Sequence, residues 1–203
     1  MEKMKNLFSG KFFKILKWIF LILLILYLII VAVRVFQMFG DDKTNAQVEK
    51  IHMTKLQLSD VMGDNLPPDP GAEADKTVVG IDVNENGIRD DVELAIFEEY
   101  PNSAKTRAVL LQYALVLQLE TKQSDLNKEI ATAIAEKESQ SYDCIGKIVP
   151  ISDDDLEKID IFRNFVKDRQ LNTVERKNLK TNFDNKAGSF ELQSGCDIDL
   201  GLL

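Results

Sequence analysis

Apolar residues are distributed along this chain in two distinct ways. Residues 18–33 are apolar without interruption, and apolar neighbours on both sides extend this segment to the roughly 20 residues that span a bilayer. Beyond residue 76 the apolar positions instead recur at helical spacing. The pattern predicts a mainly α protein, with a transmembrane helix at 15–37, a tether and proline-rich linker at 38–76, and a compact helical bundle at 77–203.

The predicted bundle contains about five amphipathic helices with short connections. The second shows the pattern clearly, because four apolar residues lie on one face at i, i+3, i+4 and i+7: Leu110, Tyr113, Ala114 and Leu117. Polar residues that favour helix N-termini precede the segments. The predicted helix starts are Asp90, Asn102-Ser103, Ser124-Asp125, Ser152 with Asp155, and Asn172-Thr173.

Residues 38–76 lack a long helical pattern. Residues 41–59 are polar with sparse apolar positions, and they are compatible with either a short amphipathic helix or a tether. Pro67, Pro68 and Pro70 follow, and clustered prolines block a continuous helix or sheet. We therefore expect a somewhat stiff spacer between the membrane and the helical domain.

The apolar segment has two alternative interpretations. A signal peptide usually has an apolar core of roughly 7–15 residues followed by a small-residue cleavage site, whereas this core is longer and no A-x-A pattern follows it. A buried core helix is disfavoured by the uniformly apolar character of the segment. We therefore expect an uncleaved signal anchor.

Charges on either side of the segment predict its orientation. Five lysines and one glutamate precede it, whereas Arg34 and then two aspartates and a lysine follow it. The positive-inside rule places residues 1–14 in the cytoplasm and residues from about 41 onward outside it. The lipid bilayer, contacted through residues 15–37, is thus the first expected partner.

The predicted extracytoplasmic part is strongly acidic. The chain has 25 basic and 33 acidic residues, of which the first 40 positions hold six basic and one acidic. The remaining positions hold 19 basic and 32 acidic residues, a net charge of −13. Because nucleic acids and anionic lipids bind basic patches, we expect no nucleic-acid partner. This acidity is compatible with the binding of divalent cations, and equally with a role only in keeping an exported domain soluble.

Two cysteines, Cys144 and Cys196, lie in this acidic part. An even number of cysteines in an oxidising compartment predicts one disulfide, which would tie the C-terminal tail to the helical body. The alternative is a pair of buried, unlinked thiols. Neither cysteine belongs to a C-x-x-C motif, so the sequence offers no support for a thiol redox site or a thiolate zinc site.

The segment GIDVNENGIRDDVELAI, residues 80–96, has the most specific pattern in the chain. With residue 82 as position 1, it matches the calcium loop D-x-[DN]-x-[DN]-G-x5-E at every specified position. Calcium takes roughly six to eight oxygen ligands, so the chain must curl around the ion, and Gly87 permits the sharp turn. The predicted ligands are Asp82, Asn84, Asn86, the Ile88 carbonyl, Asp90 directly or through water, and Glu93 with two oxygens.

The surroundings of the loop argue against a paired, switching calcium hand. No convincing helix precedes it, Arg89 occupies a position that is usually apolar, and no second loop is visible. A single structural site, in which a loop leads into a helix, is therefore expected. The alternative is a series of Asx turns with Asp90 as an ordinary helix N-cap, which needs no metal.

The wider stretch from Leu66 to Ala114 resembles a group of exported or inner-membrane-anchored bacterial proteins. In that group a proline-rich linker leads to a GIDxDxDGxRDDVxxxI segment and then to a helix beginning near NSAKTRAAL. The loop resembles the EF-hand-like calcium loops of dockerins and thrombospondin type-3 repeats, although this chain has Asn at the two positions where acids are common. The resemblance implies a bacterial envelope location, at the inner membrane with the domain in the periplasm or outside, and calcium binding. It carries no activity with it.

Catalytic patterns are largely missing from the sequence. The only histidine, His52, lies in the predicted tether, so the predicted bundle has none for Ser-His-Asp or Cys-His catalysis or for a histidine-based metal site. Glycan hydrolysis by two carboxylates has no local signature, and residues 153–155 are more typical of a charged helix start. We expect a non-enzymatic module with a structural or protein-interaction role and an envelope protein as partner. The alternative is an envelope hydrolase that acts on glycan or peptidoglycan through acidic residues.

Overall fold

The computed structural model describes residues 10–123, 126–149 and 155–203. The described residues contain helices and irregular segments but no β-strand, which confirms the predicted mainly α fold. Short 3-10 turns cover Gly71–Asp75 and Leu200–Leu202. The α-helices are α1 (Gly10–Met53), α2 (Leu58–Met62), α3 (Asp90–Glu99), α4 (Ala104–Thr121), α5 (Lys128–Gly146), α6 (Asp155–Gln170) and α7 (Val174–Lys186).

The chain divides into two compact units, the first ending at Ala46 and the second running from Gln47 to Leu203. The described part of the first unit belongs to α1, and its large apolar side chains are exposed, including Trp18 at 65% and Phe36 at 83%. This helix is long and apolar enough to cross a membrane by length and composition. It contains the segment predicted to be the transmembrane anchor.

Helix α4 forms the centre of the second unit. Fourteen of its 18 residues are buried, and α2, α3, α5, α6 and α7 all pack against it. The predicted apolar stripe at Leu110 and Leu117 is therefore only part of its buried surface. Polar residues such as Gln112 and Gln118 are also buried because neighbouring helices surround α4 on several faces.

Two of the polar residues predicted at helix N-termini are confirmed as N-caps. Ser103 accepts a hydrogen bond from the Thr106 N–H, and Thr173 accepts one from the Arg176 N–H, as predicted. Helix α5 is capped by Asn127. The predicted starts at residues 124–125 and 152 lie outside the described residues.

Irregular residues between α1 and α3 are packed into the second unit. Leu56 and Ala74 are buried, although their segment was predicted as a tether and linker. Arg107 donates to the Val61 carbonyl at 3.1 Å, and Arg176 donates to the Ala74 carbonyl at 2.8 Å. Val61 lies in the last turn of α2 and Ala74 near the end of a 3-10 turn, where carbonyls lack partners within the helix, and buried guanidinium groups supply donors for them.

The C-terminal tail runs along α5 and is covalently fixed to it. Cys144 and Cys196 form a disulfide, which confirms the predicted pairing. Before it, the Gly188 N–H donates to Thr132 Oγ1 at 2.9 Å, and the Gln193 N–H donates to Ser139 Oγ at 3.0 Å. Side chains of α5 therefore satisfy the main chain of a tail that has no secondary structure of its own there.

Candidate metal site

The predicted calcium loop lies directly before and within the first turn of α3. The Asp90 N–H donates to the Ile81 carbonyl at 2.9 Å, which closes the loop. Gly87 has φ +89° and Glu85 has φ +56°, the left-handed region that only glycine adopts without strain. A Cβ at position 87 would also lie 2.7 Å from Leu115 Cδ1 on α4. The turn therefore requires glycine for both its backbone and its packing.

Glu93 lies at the centre of this arrangement. Glu93 is only 1% exposed. Its carboxylate oxygens accept hydrogen bonds from Asn86 Nδ2 at 2.9 Å and from Asn84 Nδ2 at 3.1 Å. Burial raises the pKa of Glu93 to about 7, although the two amide hydrogen bonds oppose the shift. The structure thus brings two predicted ligands, Asn84 and Asn86, to the buried carboxylate of a third, Glu93, and both of these hydrogen-bond partners are neutral.

Asp82, the first position of the loop, has an incompletely satisfied carboxylate. Its Oδ2 accepts hydrogen bonds from the Gly87 N–H at 3.1 Å and from Lys122 Nζ at 2.7 Å. Its Oδ1 is buried and has no hydrogen-bond partner. A buried carboxylate oxygen without a partner is energetically costly, and an oxygen in this state is available to a cation.

Asp90 is buried within the loop, but it does not cap α3. It is the first residue of the helix, whose N-cap is Arg89 without a side-chain cap hydrogen bond. Both Asp90 oxygens instead accept from the Val83 N–H, at 3.1 and 3.2 Å. Burial raises the pKa of Asp90, this hydrogen bond opposes the shift, and the negative charge of Asp82 reinforces it.

Residues 88 and 89 fix the loop to the helical core. The Ile88 side chain is fully buried in the core, and its N–H donates to Asn86 Oδ1 at 2.9 Å. The Arg89 side chain is also fully buried and donates to the Arg169 and Gln170 carbonyls at the end of α6. Arg89 therefore connects the loop to α6 from a loop position that is usually apolar.

Two charged residues around the loop were not predicted from the sequence. Asp60 on α2 lies close enough to raise the pKa of Glu93 by charge repulsion, and burial raises the pKa of Asp60 itself. Lys122, at the C-terminal end of α4, pairs with Asp82. Asp60 and Lys122 lie more than 20 residues from the loop in sequence, and no local pattern indicates either contact.

The residues present fit a hard divalent cation, provided that two side chains rotate. Among the described residues, no three Asp, Glu, His or Cys side chains are arranged to hold a metal ion as they stand. Asn84 and Asn86 direct their amide nitrogens toward Glu93, so each would have to turn its amide oxygen toward an ion. Asp82 Oδ1 and the Glu93 carboxylate would supply the negatively charged ligands.

A groove of about 560 Å³ opens beside the loop within the second unit. Its walls are the end of α1, the loop itself and the C-terminal half of α4, with Ile51 and Leu115 as apolar lining. Charges of both signs border it, namely Asp82, Glu85, Lys50 and Lys122. The groove gives solvent access to the Asp82 side of the loop.

Comparisons of this chain with known protein families, with curated proteins and with solved structures find no match. What the loop does must therefore be inferred from its own residues and their geometry.

Proposed function

We propose that this chain is a single-pass membrane protein whose helical unit, residues 47–203, is an envelope module stabilised by one calcium ion in the loop 82–93. The observation that carries the proposal is the burial of the Glu93 carboxylate, 1% exposed, against two neutral amides. An ionised carboxylate in such a place is costly unless a cation compensates it. Asp82 Oδ1, buried and without a partner, adds a second oxygen of the same kind.

The chemistry of the ligands favours calcium over other cations. All six predicted ligands offer oxygen, and calcium accepts roughly six to eight oxygens in flexible geometry. Magnesium demands a near-octahedral shell and keeps several of its waters, which suits a loop of protein ligands less well. Bound calcium would orient Asp82, Asn84 and Asn86 toward one point and hold the start of α3 against the loop.

The first test is thermal unfolding of the full chain in nanodiscs, with chelator or with about 2 mM calcium. If the dissociation constant is about 10⁻⁴ M, as in extracellular modules, calcium adds about 1.8 kcal/mol by mass action. For a domain of this size the melting temperature should rise by roughly 4–7 °C. Near-UV circular dichroism of the buried Tyr113 reports the loss of packing.

Two variants separate calcium binding from general charge effects. Glu93→Gln should abolish the calcium-dependent rise, because it removes the buried carboxylate. Glu98→Gln, at an exposed position of the same helix, should retain the full rise. Equal melting temperatures with and without calcium in the wild type would leave the loop as a set of Asx turns and would contradict the proposed site.

We propose further that α1 anchors the module in the bacterial inner membrane through residues 15–37. The support is the length and composition of α1 together with the five lysines that precede the apolar segment. By the positive-inside rule the N-terminus faces the cytoplasm, and the helical unit faces the periplasm or the outside. The disulfide between Cys144 and Cys196 is consistent with an oxidising compartment.

The anchor and its orientation are tested in cells. The chain should stay with the membrane pellet after extraction at alkaline pH, and protease added to spheroplasts should degrade residues 47–203. Protection of this unit until the membrane is disrupted would reverse the proposed orientation. Release into the alkaline supernatant would contradict the anchor itself.

We propose a structural or protein-interaction role for the helical unit, residues 47–203. Its surface includes large apolar side chains on α6, with Leu156 75% exposed and Ile161 56% exposed. A photo-crosslinking residue at position 161 should capture an envelope protein in cells, whereas one at the neighbouring exposed Glu157 should capture it less. Equal labelling at the two positions would contradict a contact through the apolar side chains.

A further inference from the structure

Lys122 places a positive charge on the first residue of the loop. It is the C-cap residue of α4, and its Nζ lies 2.7 Å from Asp82 Oδ2, 40 residues earlier in the chain. The Lys122 side chain is 32% exposed, whereas the Asp82 side chain is 12% exposed. The carboxylate is thus part of the loop interior, and the ammonium reaches it from the solvent side.

The ammonium and a divalent cation compete for the same carboxylate. In calcium loops of this pattern, position 1 contributes a carboxylate oxygen to the ion. Two cations held within a few ångströms of each other repel strongly in a partly buried place, where water screens them poorly. When a cation binds Asp82, the Lys122 ammonium must therefore move away, or binding is weakened by the repulsion between the two charges.

The adjoining groove provides the space for this withdrawal. Lys122, Asp82 and the exposed Glu85 all border the groove of about 560 Å³. A lysine side chain rotates around four carbon–carbon bonds and needs no movement of α4 to leave Asp82. Its charge would then be solvated within the groove, near Glu85.

We propose that Lys122 is a tethered competitor that occupies Asp82 in the absence of the divalent cation and lowers the affinity of the loop for it. The inference rests on the proposed calcium site, and it adds Lys122 as a residue that sets the affinity of that site for calcium. Without the cation, Lys122 balances part of the negative charge of the loop. The cation must displace it, so the site fills only at higher cation concentration than the loop alone would require.

The proposal is tested by calorimetric titration of calcium into the full chain in nanodiscs. Lys122→Met keeps the aliphatic stem and removes the charge, and it should bind calcium about five- to tenfold more tightly than the wild type. Lys122→Arg keeps the charge and should bind within about twofold of the wild type. Lys50→Met removes a lysine from the same groove and serves as the matched control, with a change of no more than about twofold.

Failure of this inference and failure of the calcium site give different results. If the wild type binds calcium and Lys122→Met binds with unchanged affinity, the competitor role is overturned while the site stands. Equal tightening by Lys122→Met and Lys50→Met would reduce the effect to overall charge and would also overturn it. If no variant and no wild-type sample binds calcium, both proposals are wrong. Lys122→Gln, titrated in parallel, replaces Lys122→Met should the latter not fold.

Discussion

Arg176 on α7 and Asp75 in the segment before the loop form an ion pair in which the arginine is fully buried. The same guanidinium donates to the main-chain carbonyls of Ala74 at 2.8 Å, Thr77 at 3.0 Å and Val78 at 2.9 Å. One side chain from α7 thus donates to three carbonyls at the end of a 3-10 turn and in the irregular residues after it. This contact fixes the chain just before the candidate metal site.

Replacing this arginine should strongly destabilise the helical unit. Arg176→Met removes the guanidinium donor from the Ala74 and Val78 carbonyls, whereas the Thr77 carbonyl keeps the Gly80 N–H. Each buried carbonyl left without a partner costs roughly 1–3 kcal/mol, so a total loss of about 3–5 kcal/mol is expected. The measurement is the free energy of unfolding of residues 47–203 in denaturant. Lys177→Met, at the neighbouring exposed position, is the matched control and should change it by less than about 0.5 kcal/mol.

A cluster on α4, α5 and α7 places two buried carboxylates and the exposed carboxylate of Asp184 around one ammonium. Lys180 Nζ lies 2.9 Å from Glu120 Oε1 and 3.1 Å from each Glu138 oxygen. Burial raises the pKa of Glu120 to about 8, a shift that Lys180 opposes. Burial lowers the pKa of Lys180, but the carboxylates of Glu120, Glu138 and Asp184 outweigh this effect and its pKa is raised overall.

The raised pKa of Glu120 predicts a pH-dependent stability. The folded state retains a proton between the unfolded pKa of 4.5 and the folded value of about 8, so stability falls as the pH rises through this window. Glu120→Gln removes this contribution, and its stability relative to the wild type should increase from about pH 5 to about pH 9. Unfolding is measured in chelator, where Glu93 contributes equally to both proteins.

A control variant identifies the group that causes this pH dependence. Glu157→Gln changes an exposed glutamate on α6 and should follow the wild-type curve at every pH. Parallel curves for Glu120→Gln and the wild type would show that Glu120 is ionised in the folded protein throughout the range. The assignment of the retained proton to Glu120 would then be wrong.

The helices were predictable from the sequence because their signals are local. Helix α3 begins at the predicted start, Asp90, and Ser103 and Thr173 cap the helices expected to follow them. Capping depends on a hydrogen bond within three residues. Apolar spacing likewise predicted one face of α4, since periodicity follows directly from helix geometry.

Contacts over long sequence distances were not predictable in the same way. Residues 54–80 pack into the helical unit through arginines such as Arg107 and Arg176, of which Arg176 lies about 100 positions later in the chain. Asp60 and Lys122 reach the loop from α2 and α4. The loop motif indicated the ligand residues but not these neighbours, because the packing of α2 and α4 determines them.

Gly87 provides a test of the loop geometry. Gly87→Ala places a Cβ at φ +89°, 2.7 Å from Leu115 Cδ1, so both backbone strain and a packing clash are expected to cost about 3 kcal/mol together. Gly71 has φ +53° with no atom within 4 Å of a Cβ, so Gly71→Ala should cost only about 1 kcal/mol. Equal losses in the free energy of unfolding would contradict the packing of the loop against α4.

The disulfide and the contacts after it hold the C-terminal tail against the bundle. Besides the bond to Cys144, the Asp197 N–H donates to Gln112 Oε1 at 2.9 Å, and Asp197 Oδ2 accepts from the Leu56 N–H at 3.0 Å. The tail thereby also secures residue 56, which follows α1. These polar contacts are few, so the covalent link is expected to make the larger contribution.

Replacing both Cys144 and Cys196 by serine should therefore release the tail and destabilise the unit. Chain entropy for a closed loop of 52 residues predicts a loss of about 4 kcal/mol, measured as the free energy of unfolding in denaturant. Limited proteolysis should cut the variant faster near Leu192, which is 84% exposed, while Asp197→Asn should change either readout much less. If the serine variant and the wild type were cut at equal rates, the tail would be held by its noncovalent contacts with α5 and Gln112. The disulfide would then add stability only by lowering the conformational entropy of the unfolded chain.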